Sequence, residues 1–467
     1  MKKFRFLGLL LAFIMLLSAV LLPARASESN LPVTSGCHSV DAAKMLSPAE
    51  QKAATAKAVV LYELKSDTML YAWNPDAKIY PTSMVKMMTA LVAIEQGNLD
   101  EIVTVSRAVL NLVPIGILGA DLKRGEEISL RDLLYATMVA SATDASVVVA
   151  AHVGGSVEAF LQLMNDKAQE LGCYNTHYGN VHGLHDEQTY TTARDIARLT
   201  EAALENEVFR EMFCTAEYTM AATNKHEART IKTTNHMINS QNSKYYDKRV
   251  TGGKTGATDQ GGRCLTLTAE QNGMEILCVL MGATPTFDAN GILTAHGSFE
   301  ESKILLDEAF QSYEYRQVFF QGQSLTQYPV SGGANDVVTQ AAASASTILP
   351  VDTDVSQLQW VYSTTDATIT APVESGQKLG TVQAWYGDKC LAQADMVAMN
   401  AVKPFQAPVV PEKPDQNRDS GRWMAVLMIL LVAAGVIGVI ILALRVTHII
   451  RRNMRRRRRQ NRLRGKN

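Results

Sequence analysis

The sequence predicts an α+β protein: an antiparallel sheet with a helical cluster, then a small all-β domain, then one C-terminal transmembrane helix. Three observations carry this expectation. Runs with β-strand character at Ala58–Trp73 and Lys254–Met281 bracket a region of helical periodicity, so one sheet has to join distant parts of the chain. Beyond about Ser312 helical spacing gives way to β-branched runs broken by Gly, Ser and Asp. Trp423–Leu444 then runs 22 residues without a charge; at ~1.5 Å per residue it spans a ~30 Å hydrocarbon core.

Taken in order, Ala58–Trp73 holds two short alternating runs about the turn formers Ser66-Asp67, which reads as a β-hairpin. A helix starts at Ser83, carries Met84, Met87, Met88, Leu91 and Val92 at helical spacing, and stops near Gly97. Further helix signals are Ser129-x-x-Asp132 before Leu133-Leu134, Val157–Leu171 closing on Gly172, Thr192-x-x-Asp195 leading towards Leu204, and Phe299–Phe310. Asn272-Gly273 predicts a two-residue hairpin turn that sets Cys264 opposite Met281 and Cys278 opposite Leu267. Those two cysteines then face opposite sides of the sheet and do not pair. In the all-β region strands are expected at Val337–Thr339, Ala367–Thr370 and Leu379–Val382, and Pro404, Pro408, Pro411 and Pro414 stiffen a polar tether. No repeat of 20–50 residues is seen, which argues against a solenoid.

The chain has 467 residues, 47% apolar and 19% charged, enough for about two folded domains besides targeting segments. Met1–Ala26 has a basic start, an apolar run and an Ala-Arg-Ala ending, the layout of a cleaved export leader. From Arg445 on there are eleven Lys/Arg and no acid. Such a flank favours the cytoplasmic side, which places the body outside, one span in the membrane and the basic tail inside against anionic lipid. Residues 27–444 carry 30 basic against 46 acidic side chains, a formal −16, which argues against a nucleic-acid partner. The six cysteines form no Cys-x-x-Cys pair, so neither a zinc ribbon nor a thioredoxin-like site is indicated. His182-x-x-His185 lacks an HExxH frame and reads as a turn, His152 as a helix-end or core residue; no metal or cofactor is expected.

Ser83-Met84-Val85-Lys86 places a hydroxyl at the first turn of an apolar helix and an amine on the same face, within reach of it. A serine is a weak nucleophile until a base takes its proton, and lysine is such a base if burial and a second cation depress its pKa. Alone the spacing is common and more often marks a helix cap with a surface lysine. Its companions make it specific. Ser141-Ala142-Thr143 offers a second hydroxyl between two predicted helices, and Lys254-Thr255-Gly256 opens a strand with a cation, a hydroxyl and a glycine that admits a substrate backbone.

In this order the three motifs resemble the signature set of the penicilloyl serine transferases. The chain is similar over about residues 45–403 to the serine-type D-alanyl-D-alanine carboxypeptidases, the low-molecular-mass penicillin-binding proteins, including Asn180-Val181-His182-Gly183-Leu184 and Tyr190–Asp195. The resemblance implies a β-lactamase/transpeptidase-like catalytic domain and removal of the terminal D-alanine from peptidoglycan stem pentapeptides, with β-lactams as covalent inhibitors. It gives Ser83 the role of nucleophile, Lys86 that of acylation base and Ser141 that of proton relay. Lys254 and Thr255 then hold the terminal carboxylate, while Ser83 and Ala257, beyond Gly256, supply oxyanion-hole N–H groups. Thr143 stands where the family pattern has Asn, and Arg249 and Arg263 are further candidates for the carboxylate.

The implied organisation is 1–26 leader, 27–44 N-terminal segment, 45–314 catalytic domain, 315–403 all-β domain, 404–422 tether, 423–444 span and 445–467 tail. The alternatives are a catalytically weakened stem-peptide binder or wall sensor, opened by Thr143, and a β-lactamase. The latter lacks a Glu-x-x-Leu-Asn string, the nearest, from Glu201, being out of frame. Oligomeric state is not legible.

Overall fold

The computed structural model describes residues 54–114, 117–387, 389–408 and 417–461. The expected leader, the segment 27–44, Cys37 and much of the tether lie outside the described residues. Contacts divide the chain into two compact units, one closing at Pro404 and one running from Phe405.

Strands β1 (Ala58–Glu63) and β2 (Thr68–Trp73) form the hairpin read at Ser66-Asp67. Helix α1 (Val85–Gln96) follows, entered through a 3-10 turn at Thr82–Met84 and ended at Gly97. Next come α2 (Leu130–Met138), α3 (Thr143–Val153), α4 (Val157–Glu170), α5 (Ala193–Leu204) and α6 (Glu207–Cys214). Ser129, Ser156 and Thr192 accept from the N–H three residues on, each at 3.0–3.1 Å, and such caps contribute roughly 0.5–2 kcal/mol. Helix α6 and three short two-stranded ribbons were not anticipated from sequence.

Strands β3 (Val250–Thr258), β4 (Gly262–Gln271) and β5 (Met274–Ala283) complete an antiparallel sheet of order β2-β1-β5-β4-β3. β1 pairs with β5 from Ala58↔Met281 to Glu63↔Ile276, so the sheet does join the two ends of this region. With both faces covered, β1 and β5 are buried almost throughout. One face packs on α1–α6 and the other on α7 (Ser298–Ser312). Asn272 and Gly273 take φ of 54° and 82°, the two-residue turn expected. The register departs from expectation at one point. Cys278 does face Leu267, but a bulge between Arg263 and Leu265 leaves Cys264 without a direct partner on β5, since Arg263 pairs with Ala283; on its other side Cys264 pairs with Gly256 of β3. Cys264 sits in the helix-side core and Cys278 in the other. None of the five described cysteines is in a disulfide.

The all-β region comprises β6 (Tyr313–Phe319), β7 (Ser324–Tyr328), β8 (Val337–Ala341), β9 (Ala345–Pro350), β10 (Gln359–Thr364), β11 (Lys378–Tyr386) and β12 (Lys389–Ala398). A five-stranded sheet of order β7-β8-β12-β11-β10 packs Val382, Ala384 and Ala392 against Phe319 and Ala345 of the β6–β9 ribbon. Ala367–Thr370, expected as a strand, is a loop that makes only an isolated bridge from Thr370 to Ser331. The edge beside it is already taken by β10, which pairs with β11. Tyr315 of β6 donates to Glu63 Oε2 at 2.6 Å, and Glu63, fully buried, also accepts from Ser66 and from the Glu275 N–H.

In the second unit, α8 (Asn417–Asn461) is one 45-residue helix, about 67 Å long at 1.5 Å per residue. Its described apolar section is long enough to cross a membrane. Residues 417–422, expected as tether, are already helical, because the last proline is Pro414 and nothing after it breaks the hydrogen-bond ladder.

Candidate active site

Pro81 leads into the 3-10 turn that presents Ser83. Thr82 takes a φ of 55°, a conformation rare for a β-branched residue, and such strain persists only where neighbours enforce it. Two glycines enforce it here. A Cβ on Gly183 (φ 80°) would overlap the Thr82 carbonyl, and one on Gly256 would overlap the Thr82 hydroxyl and stand 3.0 Å from Ser83 N. The glycine of Lys-Thr-Gly therefore seats the turn that carries Ser83, in addition to the substrate-facing role expected from sequence.

Ser83 is half-buried and opens on a cleft of about 340 Å³. Lys86 Nζ lies 3.2 Å from Ser83 Oγ and donates to the His182 carbonyl at 2.7 Å. Burial and the nearby Lys254 charge hold the Lys86 ammonium well below the usual lysine range, with Asp144 pulling the other way. Lys254 Nζ donates to Ser141 Oγ at 2.9 Å and to the Thr255 carbonyl at 3.0 Å, and burial lowers its pKa to about 7. Both amines are 1% exposed. Ser141 lies at the α2–α3 junction with a φ of 55°, a second strained residue at the same site. The Thr255 hydroxyl meets that of Thr234 at 2.5 Å. Ala257 is exposed on β3, the edge strand, opposite Arg263. Ser83, Lys86, Ser141, Lys254, Thr255, Gly256 and Ala257, from three stretches of sequence, are thus brought together.

Thr143 is placed differently. It opens α3, its N–H donates to the Leu118 carbonyl at 3.0 Å, and its hydroxyl makes no hydrogen bond among the described residues. Arg249 is not a carboxylate candidate: its guanidinium is held by Asp247 and Asp307 and lies on the Phe310 ring, beside α7. Arg263 lines the cleft and has no ion pair or hydrogen-bonded side-chain partner among the described residues.

Sequence reasoning missed two supports of the site. Asp144, buried, accepts from the N–H groups of Ala120, Leu122 and Ala145, fastening the 118–122 stretch beside α3. An acid in a helix's first turn was the only signal for it. The second is the His182 carbonyl, a backbone group that no residue type announces. Asn180 fixes it, accepting from His182 N (3.2 Å) and Gly183 N (2.6 Å) and donating to Leu184 O (3.1 Å). The His182 ring accepts from Leu184 N at 3.2 Å, and burial with the Lys86 charge lowers its pKa to about 4. His185 packs edge-on against Tyr80, and His152, in the last turn of α3, meets Glu101 at 3.3 Å. Among the described residues no three His, Cys, Asp or Glu side chains gather as a metal site. Glu201 sits on α5 in a separate groove with Tyr62 and Met69.

A serine hydroxyl, two buried amines and a second hydroxyl in one cleft fit a serine acyl-transfer site, and comparison with known proteins points to the same class. The D-alanyl-D-alanine carboxypeptidase family, peptidase S11, matches residues 45–285, and the penicillin-binding protein 5 C-terminal domain matches residues 313–404. D-alanyl-D-alanine carboxypeptidase DacF of Bacillus subtilis is 30% identical over 356 residues, 74% of this chain and 86% of that one. DacC of Escherichia coli is 28% identical over 364 residues, 76% and 86% of the two chains. Penicillin-binding protein 5 of Haemophilus influenzae superposes with a TM-score of 0.57 at 29% identity, covering 75% of this chain and 98% of that one. PBP3 of Streptococcus pneumoniae shares the fold, with a TM-score of 0.59 at 22% identity over 75% of this chain and all of that one. The chain belongs to the D-alanyl-D-alanine carboxypeptidase family and is a serine-type carboxypeptidase, a hydrolase of the penicillin-binding protein class.

Proposed function

We propose that the chain removes the terminal D-alanine from peptidoglycan stem pentapeptides through an acyl-enzyme on Ser83. The 3.2 Å approach of a buried, pKa-depressed Lys86 to the Ser83 hydroxyl carries this reading. Lys86 Nζ takes the hydroxyl proton as Oγ adds to the penultimate carbonyl carbon. The developing oxyanion meets the N–H groups of Ser83 and Ala257, donors of a kind worth ~3–4 kcal/mol each. The C–N bond then breaks, and a proton passes by Ser141 from the lysine pair to the leaving nitrogen. Water hydrolyses the resulting ester and regenerates Ser83. Lys254, Thr255 and Arg263 receive the terminal carboxylate, and β-lactams acylate the same hydroxyl.

The same proposal takes residues 45–314 as the catalytic domain, 315–403 as the all-β domain and 423–444 as a single membrane span, with the catalytic body outside and the basic tail in the cytoplasm. The one-sided charge after the span supports that orientation. Labelling with a fluorescent penicillin tests the nucleophile: the wild type retains a stable adduct and Ser83→Ala stays dark. Incubation with a pentapeptide precursor and assay of free D-alanine tests the reaction. Acylation without release would refute the carboxypeptidase assignment.

A further inference from the structure

Away from Ser83 the cleft wall contains Arg263 and two imidazoles. His236 stands between the α6 region and β3, and His296 precedes α7; both line the cleft. Their rings lie 5.5 Å apart, and both pack on Phe299, at 5.5 and 4.8 Å.

The hydrogen on His236 is placed by Asn242. The Asn242 side-chain oxygen accepts from the backbone N–H groups of Lys244 (3.2 Å) and Tyr245 (3.1 Å), which identifies it as the oxygen. The amide nitrogen therefore faces His236 Nδ1, at 2.7 Å. An NH2 group has only hydrogens to offer, so Nδ1 is the acceptor and the neutral ring carries its hydrogen on Nε2. A second proton, on Nδ1, would point at the amide hydrogens. Burial also lowers the His236 pKa, in the same direction.

The Nε2–H has no acceptor among the described residues and is not sealed from the cleft. Around it the titratable and charged groups are His296, Tyr245, Arg263, Lys244 and Glu300, whose Oε1 accepts from the Tyr245 hydroxyl at 2.9 Å and whose Oε2 is buried without a partner among the described residues. Among the described residues no carboxylate lines the cleft itself. A wall that offers donors and a cation but no acid selects an anionic group on its ligand.

We propose that His236 is a specificity-determining residue whose Nε2–H, beside Arg263, receives the free carboxylate on the leaving-group side of the substrate, with Asn242 as the residue that fixes the donor. This rests on the acyl-transfer reading above, which penicillin labelling of Ser83 tests separately. The present proposal is tested by equilibrium binding, which requires no acylation. Full-length Ser83→Ala protein in detergent is titrated with a diacylated L-Lys-D-Ala-D-Ala peptide and with its C-terminal amide. The His236→Phe version lowers the acid-over-amide preference about tenfold, the size of one hydrogen bond to a charged acceptor. His236→Gln, which keeps a donor, restores part of it. Asn242→Leu, which frees the tautomer, lowers the preference two- to fivefold and makes it rise more steeply than in the parent as the pH is lowered from 8 to 6, because the ring can then take a second proton in addition to the proton Lys254 gains near pH 7. An acid-over-amide preference within twofold of the parent in folded His236→Phe protein overturns the proposal.

Discussion

Asn180→Ala removes the side chain that fixes the loop whose carbonyl holds Lys86, the proposed base. Asn180 makes three hydrogen bonds to the backbone of residues 182–184 and a longer one, 3.3 Å, to Thr189. At a net 0.5–1.5 kcal/mol each, with partial rehydration of a half-buried loop, their loss costs about 2 kcal/mol. That is roughly a 30-fold shift away from the native loop geometry. The His182 carbonyl then ceases to hold Lys86 Nζ, and an ångström of misplacement at a reacting group costs on the order of 100-fold in rate. Acylation by a penicillin should fall 10- to 100-fold, read as the second-order rate constant by stopped-flow fluorescence. Asn180→Asp keeps the two accepted bonds, loses the donated ones, and should fall in between. Acylation within twofold of wild type in folded Asn180→Ala protein would refute the view that this loop aims the base.

In the proposed mechanism Lys86 acts as its free amine, and burial depresses its pKa, so acylation should rise with pH along a limb well below the usual lysine range, while Lys254 loses its proton above about pH 7 and weakens anion binding; a rate still climbing near pH 10 with no earlier limb contradicts this. Thr143→Asn, which brings an amide to the start of α3 where the present hydroxyl is unpartnered, should raise acylation about three- to tenfold, and an unchanged or lower rate argues that Thr143 is not a handicap. Tyr315→Phe removes one donor from the buried Glu63 carboxylate and should lower stability by about 1.5–3 kcal/mol in urea titrations with penicillin labelling intact. Truncation before Asn417 should move the protein from the membrane pellet to the soluble fraction with labelling retained, since the apolar helix begins there.

Much of this was legible because it is local. Caps at Ser129 and Thr192, the Asn272-Gly273 turn and the uncharged 423–444 stretch each follow from a few adjacent residues, and the structure bears them out. The bulge at Cys264 was not, because strand register is settled by packing on both faces of the sheet. Arg249 and Arg263 look alike as sequence neighbours of Lys254. Only the positions of Asp247 and Asp307 show that the first is already engaged.

From the sequence alone came the candidate serine and its two amines, the order of elements and the apolar C-terminal segment, since hydroxyl, amine and hydropathy are properties of residues. The tertiary structure alone decided that Gly183 and Gly256 clamp Thr82, that a backbone carbonyl holds Lys86, and that Asn242 chooses which nitrogen of His236 bears hydrogen. Those are relations between groups as many as 174 residues apart along the chain. A pKa or a tautomer depends on what surrounds a group, and that is set only when the chain closes around it.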